Sequence, residues 1–328
     1  MMPERTRRAS VELRPYRLRL LQPLRTVHGV LEFREGVEVL VRDGAQVGRG
    51  DAAPLPELGT ETLEECLAAL RAAAPPASLP PTPAARCALT QALLDIEAQR
   101  AGVPLARLLE PGAPLEVPAS ALLGAGSMPE LAREAQYAAA EGFGTVKLKV
   151  GFDDDYARAA VVRDAVGPEV KLRLDANGAW TADEALRKLR ELSPLGIELC
   201  EQPTADLAGL DGCAVPVAAD EMLATDPEGA LRRARILVLK PMLLGGLAAA
   251  LELARRAHGR GLSLVVTNSL EGPVGRAGAA HLAAAVLALG PQPAAGIATG
   301  RLFPAAPDPF APQRGVVRIP DMPGLGLS

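Results

Sequence analysis

The chain has 328 residues, 48% hydrophobic and 23% charged, the make-up of a soluble globular protein with room for one large domain and a smaller one. Its formal net charge of −4 argues against nucleic acid as the main partner, and the short Arg runs at 5–8 and 232–235 read as a solvated tail and a solvated helix face. No window reaches about 18 uninterrupted apolar residues, the start has no apolar leader core, and the four cysteines (Cys66, Cys87, Cys200, Cys213) form no CxxC pair, so a cytoplasmic chain with reduced thiols and no membrane partner is expected.

Residues 11–21 and 36–50 read as strands, the second turning at Asp43-Gly44. Thr60 is placed to cap a helix over 60–74, with Leu63, Leu67 and Leu70 on one face. After a Pro-rich break at 75–83, a second helix over 83–101 turns Leu89, Leu93, Leu94 and Ile96 inward and closes at Gly102. From about residue 115 the rhythm changes. Strand-like runs at 117–122, 145–150, 171–175, 196–201, 216–220, 236–240, 262–267 and 294–298 alternate with helical stretches at 129–141, 153–166, 181–192, 246–261 and 274–289. This alternation predicts a parallel β/α barrel. A doubly wound open sheet is the alternative, weakened because no Gly-rich phosphate fingerprint follows the first strand.

In a β/α barrel the chemistry gathers at the carboxyl ends of the strands. Here successive predicted strands close on ionisable residues: Lys147 and Lys149, then Asp175, Glu201, Asp220 with Glu221, and Lys240. Side chains alternate along a strand, so Lys147 and Lys149 share one face while Leu148 turns to the helices. Neighbouring ammonium groups repel, which lowers the pKa of one and makes a neutral amine base accessible near neutrality. Asp175, Glu201 and Asp220 converge from three adjacent strands as an all-oxygen site, which selects Mg²⁺, with Mn²⁺ second, over zinc. Lys240 stands across from the Lys pair. A divalent ion flanked by Lys groups suits removal of a proton beside the carboxylate of a small-molecule substrate. Taken singly, each residue has a plainer reading: Lys147 as an ion-pair partner, Asp175 as the cap of an Asp-Ala-Asn-Gly turn, and Glu221 as a support for the ligands. A non-catalytic barrel that keeps its carboxylates for stability is the reading of a different class, and the intact Lys, carboxylate and Lys set weighs against it.

The motifs Lys147-x-Lys149, Asp175-Ala-Asn177, Glu201-Gln-Pro, Asp220-Glu221 and Lys240-Pro resemble the enolase superfamily, in the order and spacing of its muconate-lactonizing-enzyme-like subgroup. The resemblance spans nearly the whole chain. It implies an α/β fold, a modified (β/α)₇β barrel over 113–300, closed by an α+β capping domain over 1–112 to which 301–328 returns. The mandelate-racemase-like subgroup would place a His after the seventh strand, where this chain reads Val265-Val266-Thr267-Asn268-Ser269. His28, His258 and His281 fall elsewhere, the last two reading as surface or packing residues on helices.

Within the subgroup, Gly50-Asp-Ala-Ala-Pro-Leu-Pro, Asn268-Ser-Leu-Glu-Gly and Gly296-Ile-Ala-Thr-Gly-Arg-Leu-Phe303 are most similar to the o-succinylbenzoate synthase family of menaquinone biosynthesis. That implies a lyase: Mg²⁺-dependent syn dehydration of 2-succinyl-6-hydroxy-2,4-cyclohexadiene-1-carboxylate. Lys149 would serve as base and then acid, Lys147 would keep its pKa low, and Lys240 would lie against the ring as a cation–π partner. Asn177, Glu221, Asn268, Ser269 and Thr299 are candidate substrate or supporting contacts. Arg25 or His28, in a loop at 23–29, would meet the succinyl chain. The resemblance also admits an N-succinylamino acid racemase or a dipeptide epimerase, with the two Lys groups alternating as acid and base. Dipeptide epimerases usually place Asp-x-Asp after the last strand, where this chain has Ala298-Thr299-Gly300.

Overall fold

The computed structural model describes residues 9–26, 29–73, 78–124, 126–304 and 308–327. The Arg run at 5–8, His28 and the side chain of Arg25 lie outside the described residues, as does part of the Pro-rich break. The chain opens with an antiparallel sheet of β1 (Ser10–Thr26), β2 (Gly29–Asp43) and β3 (Gln46–Ala52). Of the stretch at 23–29, expected as a loop, residues 23–26 and 29 instead belong to the end of a long β1–β2 ribbon in which Leu24 faces Leu31 and Arg25 faces Val30. The register slips between Arg19 and Leu24, where Pro23 has no N–H to give a ladder.

Helices α1 (Leu63–Ala72) and α2 (Pro83–Ala101) cover this sheet, burying Val37, Val39, Val41, Leu70, Leu89 and Ile96 in one cluster. The cap of α1 is Thr62 and not Thr60, because Thr62 and Glu65 complete a reciprocal capping box. Thr60 turns its hydroxyl to the N–H of Leu55 instead (2.6 Å). Strand β3 rests directly on the backbone of α2: a Cβ on Gly50 would lie 1.8 Å from the Ala88 carbonyl oxygen, and one on Gly48 1.9 Å from that of Ala92. Only glycine allows that approach.

The remainder runs α3 (Leu105–Leu109), β4 (Glu116–Pro118), β5 (Ala121–Leu122), α4 (Met128–Ala140), β6 (Thr145–Lys149), α5 (Asp155–Val166), β7 (Lys171–Asp175), α6 (Ala182–Leu192), β8 (Ile197–Glu201) and β9 (Val217–Ala219). It continues through α7 (Met222–Thr225), α8 (Pro227–Arg233), β10 (Ile236–Leu239), α9 (Leu247–His258), β11 (Ser263–Val266), α10 (Pro273–Leu287) and β12 (Val316–Arg318). Strands β5 to β11 form one parallel sheet in sequence order. Its two edges meet through the segment predicted as the eighth strand, which is present as single bridges rather than a ladder. Ala295 N–H donates to the Pro118 carbonyl and Gly296 N–H to that of Val266, both at 2.8 Å. The sheet is therefore a closed barrel, and the open doubly wound alternative falls. The first predicted strand divides at Pro118: β4 pairs with β12 near the C-terminus, and β5 alone joins the barrel. The C-terminal residues also meet α2 and α3, with Leu325 N–H donating to Asp95 Oδ1 (2.8 Å) and Gly324 bridging Pro104. Among the described residues, no helix is long and apolar enough to cross a membrane.

His258 is exposed at the end of α9, whereas His281 is fully buried on α10. Ala106 N–H donates to His281 Nδ1 (2.9 Å), which leaves the ring proton on Nε2, 3.2 Å from the Leu325 carbonyl. Burial lowers its pKa to about 4. Between about pH 6.5 and pH 4 the unfolded chain therefore binds a proton that the folded chain does not, so stability falls on acidification through that window. The loss amounts to about 2 kcal/mol by about pH 5. Urea titrations at neutral and at mildly acid pH should show a smaller pH dependence in His281→Asn than in the wild type; equal slopes would assign the effect elsewhere.

Candidate active site

The parity of β6 holds. Leu148 is fully buried among the barrel's outer packing, and Lys147 and Lys149 emerge on the other face. Strand register then builds a row: Lys149 lies opposite Asp175, and Asp175 opposite Glu201. Asp220 follows the last residue of β9 and Lys240 that of β10, so both stand at the same rim. All three carboxylates are buried. Lys147 Nζ bridges two of them, 2.9 Å from Asp175 Oδ2 and 2.9 Å from Glu201 Oε2. Lys240 Nζ sits across the row, 2.6 Å from Asp220 Oδ1.

Electrostatics separates the three lysines. Burial works against a charge on Lys147, but Asp175, Glu201 and Asp220 overcome it and hold the ammonium well above its ordinary pKa. Lys240 is likewise raised, by Asp220 and Glu221 against the cost of burial. Lys149 has no ion pair among the described residues, and its pKa is lowered, first by burial and then by the positive charges of Lys147 and Lys240. The repulsion expected between the two neighbours is thus present but ranks behind desolvation. Asp175 is held below the usual carboxylate range despite its burial, by Lys147 and Lys149. Glu201 is pushed up by burial and by Asp175 and Asp220 beside it. Glu221 rises to about 7, through burial and the charge of Asp220.

The row opens into a cavity of about 410 Å³. Asn177 and Glu221 line it on the carboxylate side and are bonded to each other, Asn177 Nδ2 to Glu221 Oε1 at 2.9 Å. Asn177 takes a left-handed conformation (φ 45°) that Asn tolerates better than most residues. On the far side lie Asn268, Ser269 and Thr299. Thr299 Oγ1 donates to Asn268 Oδ1 (2.8 Å), which leaves Asn268 Nδ2 and Ser269 Oγ buried without a protein partner among the described residues. Leu24, Leu31, Leu55, Leu58, Leu122 and Leu270 form apolar walls, and Glu57 adds a carboxylate from the loop after β3.

Two contributors were not singled out in the sequence. Glu57 carried no motif. Gln202 belongs to the Glu201-Gln-Pro motif, but its task appears only in space. With φ 39°, it accepts from Asp220 N–H through Oε1 (2.9 Å) and donates through Nε2 to the Thr204 carbonyl (2.8 Å), tying the ends of two adjacent strands together.

Among the described residues, no three acidic, His or Cys side chains close on a single point as a ready-made metal cage. The donor set nevertheless fits a hard divalent cation. Asp175, Glu201 and Asp220 offer only oxygen, and a cation, the Lys147 ammonium, is already held between two of them. With Glu221, four carboxylates face three lysines, so the cluster has acidic capacity left for a further positive charge.

A closed parallel barrel whose strand ends carry Lys, carboxylate and Lys in a row, beneath an α+β cap, defines the class of the enolase-type barrel enzymes. The chain belongs to the enolase superfamily: the model of the Enolase C-terminal domain-like family matches residues 130–328. It is 32% identical over 299 residues to the L-Ala-D/L-Glu epimerase of Bacillus subtilis, covering 81% of each chain. It is 39% identical over 218 residues to the o-succinylbenzoate synthase of Thermobifida fusca, covering 62% of this chain and 66% of that one. The dipeptide epimerase of Enterococcus faecalis, solved with Mg and the dipeptide L-Leu-L-Tyr, superposes with a TM-score of 0.87 at 27% identity, covering 97% of this chain and 99% of the other.

Proposed function

We propose that the chain is a Mg²⁺-dependent enzyme that removes the proton next to a substrate carboxylate, and that its reaction is the syn dehydration of 2-succinyl-6-hydroxy-2,4-cyclohexadiene-1-carboxylate to 2-succinylbenzoate. The observation that carries the choice of substrate is the wall around the eighth strand position. Gly296, Ala298 and Thr299 line the pocket there without a charge, beside the neutral donors of Asn268 and Ser269 and the apolar walls. Such a wall suits a ring and a succinyl chain, and holds no anionic partner for a free ammonium at the eighth strand position itself. The 39% identity to an o-succinylbenzoate synthase supports the same reading.

Asp175, Glu201 and Asp220 would hold the ion. When bound, it would supply the positive charge that stabilises a substrate carboxylate as that carboxylate takes up the electrons of the broken C–H bond. Lys149, the lysine without an ion pair and with a lowered pKa, takes the proton. The same group, now an ammonium, returns that proton to the hydroxyl on the same face, which leaves as water while the ring becomes aromatic. Lys240 stays charged through Asp220 and would face the ring's anion from the other side. Asn177 and Glu221 brace the carboxylate end of the row.

A second reading, epimerisation at an α-carbon, is favoured by the comparisons, in which dipeptide epimerases recur and align over most of the chain. Lys149 and Lys240 would then act from opposite faces. A dipeptide brings an ammonium that needs an anionic partner, and off the Lys–carboxylate row the pocket supplies Glu57. Glu57→Gln separates the two. The dehydratase should keep its kcat/KM for the diene almost unchanged, whereas a dipeptide epimerase should lose tenfold or more, roughly the worth of one charge-assisted hydrogen bond. N-succinylamino acids share the succinyl group and carry no free ammonium; following deuterium uptake at their α-carbon in the same experiment tells racemisation from dehydration.

A further inference from the structure

Arg34 lies on β2, outside the Lys–carboxylate row, and is only 3% exposed. Its guanidinium meets four backbone carbonyls in two separate loops. On the capping side Nη1 donates to Pro54 (3.1 Å) and Nη2 to Ala53. On the barrel side Nε donates to Leu270 (3.3 Å) and Nη2 to Ser269 (3.2 Å). Both loops go on to line the cavity, the first through Leu55, Glu57 and Leu58, the second through Asn268, Ser269 and Leu270. The second loop does not rest in a relaxed conformation. Leu270 has φ 62°, a left-handed backbone that Leu seldom adopts, so its surroundings must hold it there. Glu271 adds a local brace, its carboxylate accepting from Ser269 N–H at 2.6 Å.

We propose that Arg34 is a positioning residue that sets the spacing between the capping loop at 53–58 and the barrel loop at 268–271, and through it the fit of the pocket to its substrate. The inference rests on the proposed function only for the choice of assay substrate. The residue type follows from geometry: a rigid planar fork with five donors reaches both loops at once, and a Lys ammonium, which donates from one point, does not. The partners are main-chain carbonyls, so Arg34 acts on where the loops stand.

The test compares Arg34→Lys and Arg34→Met with the wild type. In ligand-free protein, amide hydrogen exchange should quicken in both 53–58 and 268–271, with β6 and β7 unchanged. With the cyclohexadiene substrate, KM should rise about tenfold while kcat changes less, a loss comparable to one hydrogen bond to a charged group. In Arg34→Ala, methylguanidinium should restore KM where sodium chloride at equal ionic strength does not. Quickened exchange in one loop only, or a lowered Tm with unchanged KM, would overturn the proposal. Should Arg34→Met fail to fold, Arg34→Lys decides, since it keeps the charge and loses the span. Should the wild type not consume the diene, the functional reading fails, and the exchange pattern still decides on Arg34.

Discussion

Lys149→Ala should lower kcat for the diene by about 10³-fold or more, the range a positioned general base contributes, while circular dichroism and Tm stay at wild-type values. The fold should tolerate the change because Lys149 is the one lysine of the row without an ion pair among the described residues, so its removal orphans no carboxylate. Lys149→Arg should fail to rescue turnover, since a guanidinium does not give up its proton near neutrality. Lys147→Ala is a different experiment, because it strips a bridging cation from Asp175 and Glu201 and would disturb the acidic cluster as well as the base. Turnover retained in Lys149→Ala would remove the assigned base.

Asp175→Asn and Glu201→Gln should each weaken Mg²⁺ binding by about 100-fold or more, beyond what the loss of an outer-sphere partner typically costs a metal site. Calorimetry of the metal titration reads this without any substrate. A second readout separates ligand from structural roles. Glu201 is buried beside Asp175 and Asp220, which pushes its pKa up, so its charge is costly when no further cation is present. In metal-free protein Glu201→Gln should therefore hold its Tm, and added Mg²⁺ should raise the Tm of the wild type but not of the variant. Unchanged metal affinity in both variants would dismiss Asp175 and Glu201 as ligands of the metal.

The row of strand ends was legible because it depends on local pattern. Strand β7 runs over 171–175 as predicted, and the alternation in 145–149 places both lysines on one face with no tertiary information. What the row does was less legible. Lys147 is a bridging cation as much as a neighbour that depresses Lys149, and burial, which depends on everything packed around the barrel mouth, ranks first in lowering the Lys149 pKa. The β1–β2 ribbon extends through a stretch that reads as a loop, because pairing across it, rather than local propensity, carries it past Pro23. The eighth strand shrinks to two bridges, Ala295 to Ala119 and Gly296 to Thr267. Arg34 left no trace in any motif: two of its partners stand 235 and 236 residues away, and they are main-chain oxygens that any residue type provides.

The most direct test of the central claim follows the diene absorbance of 2-succinyl-6-hydroxy-2,4-cyclohexadiene-1-carboxylate in deuterated buffer, with EDTA-treated protein before and after Mg²⁺ is restored. Proton removal by Lys149 beside a metal-held carboxylate predicts no loss of diene before the metal and rapid conversion to 2-succinylbenzoate after it. Diene left intact in the presence of Mg²⁺, while an Ala-Glu or Leu-Tyr dipeptide takes up deuterium at its α-carbon, would contradict the dehydration and install the epimerase in its place.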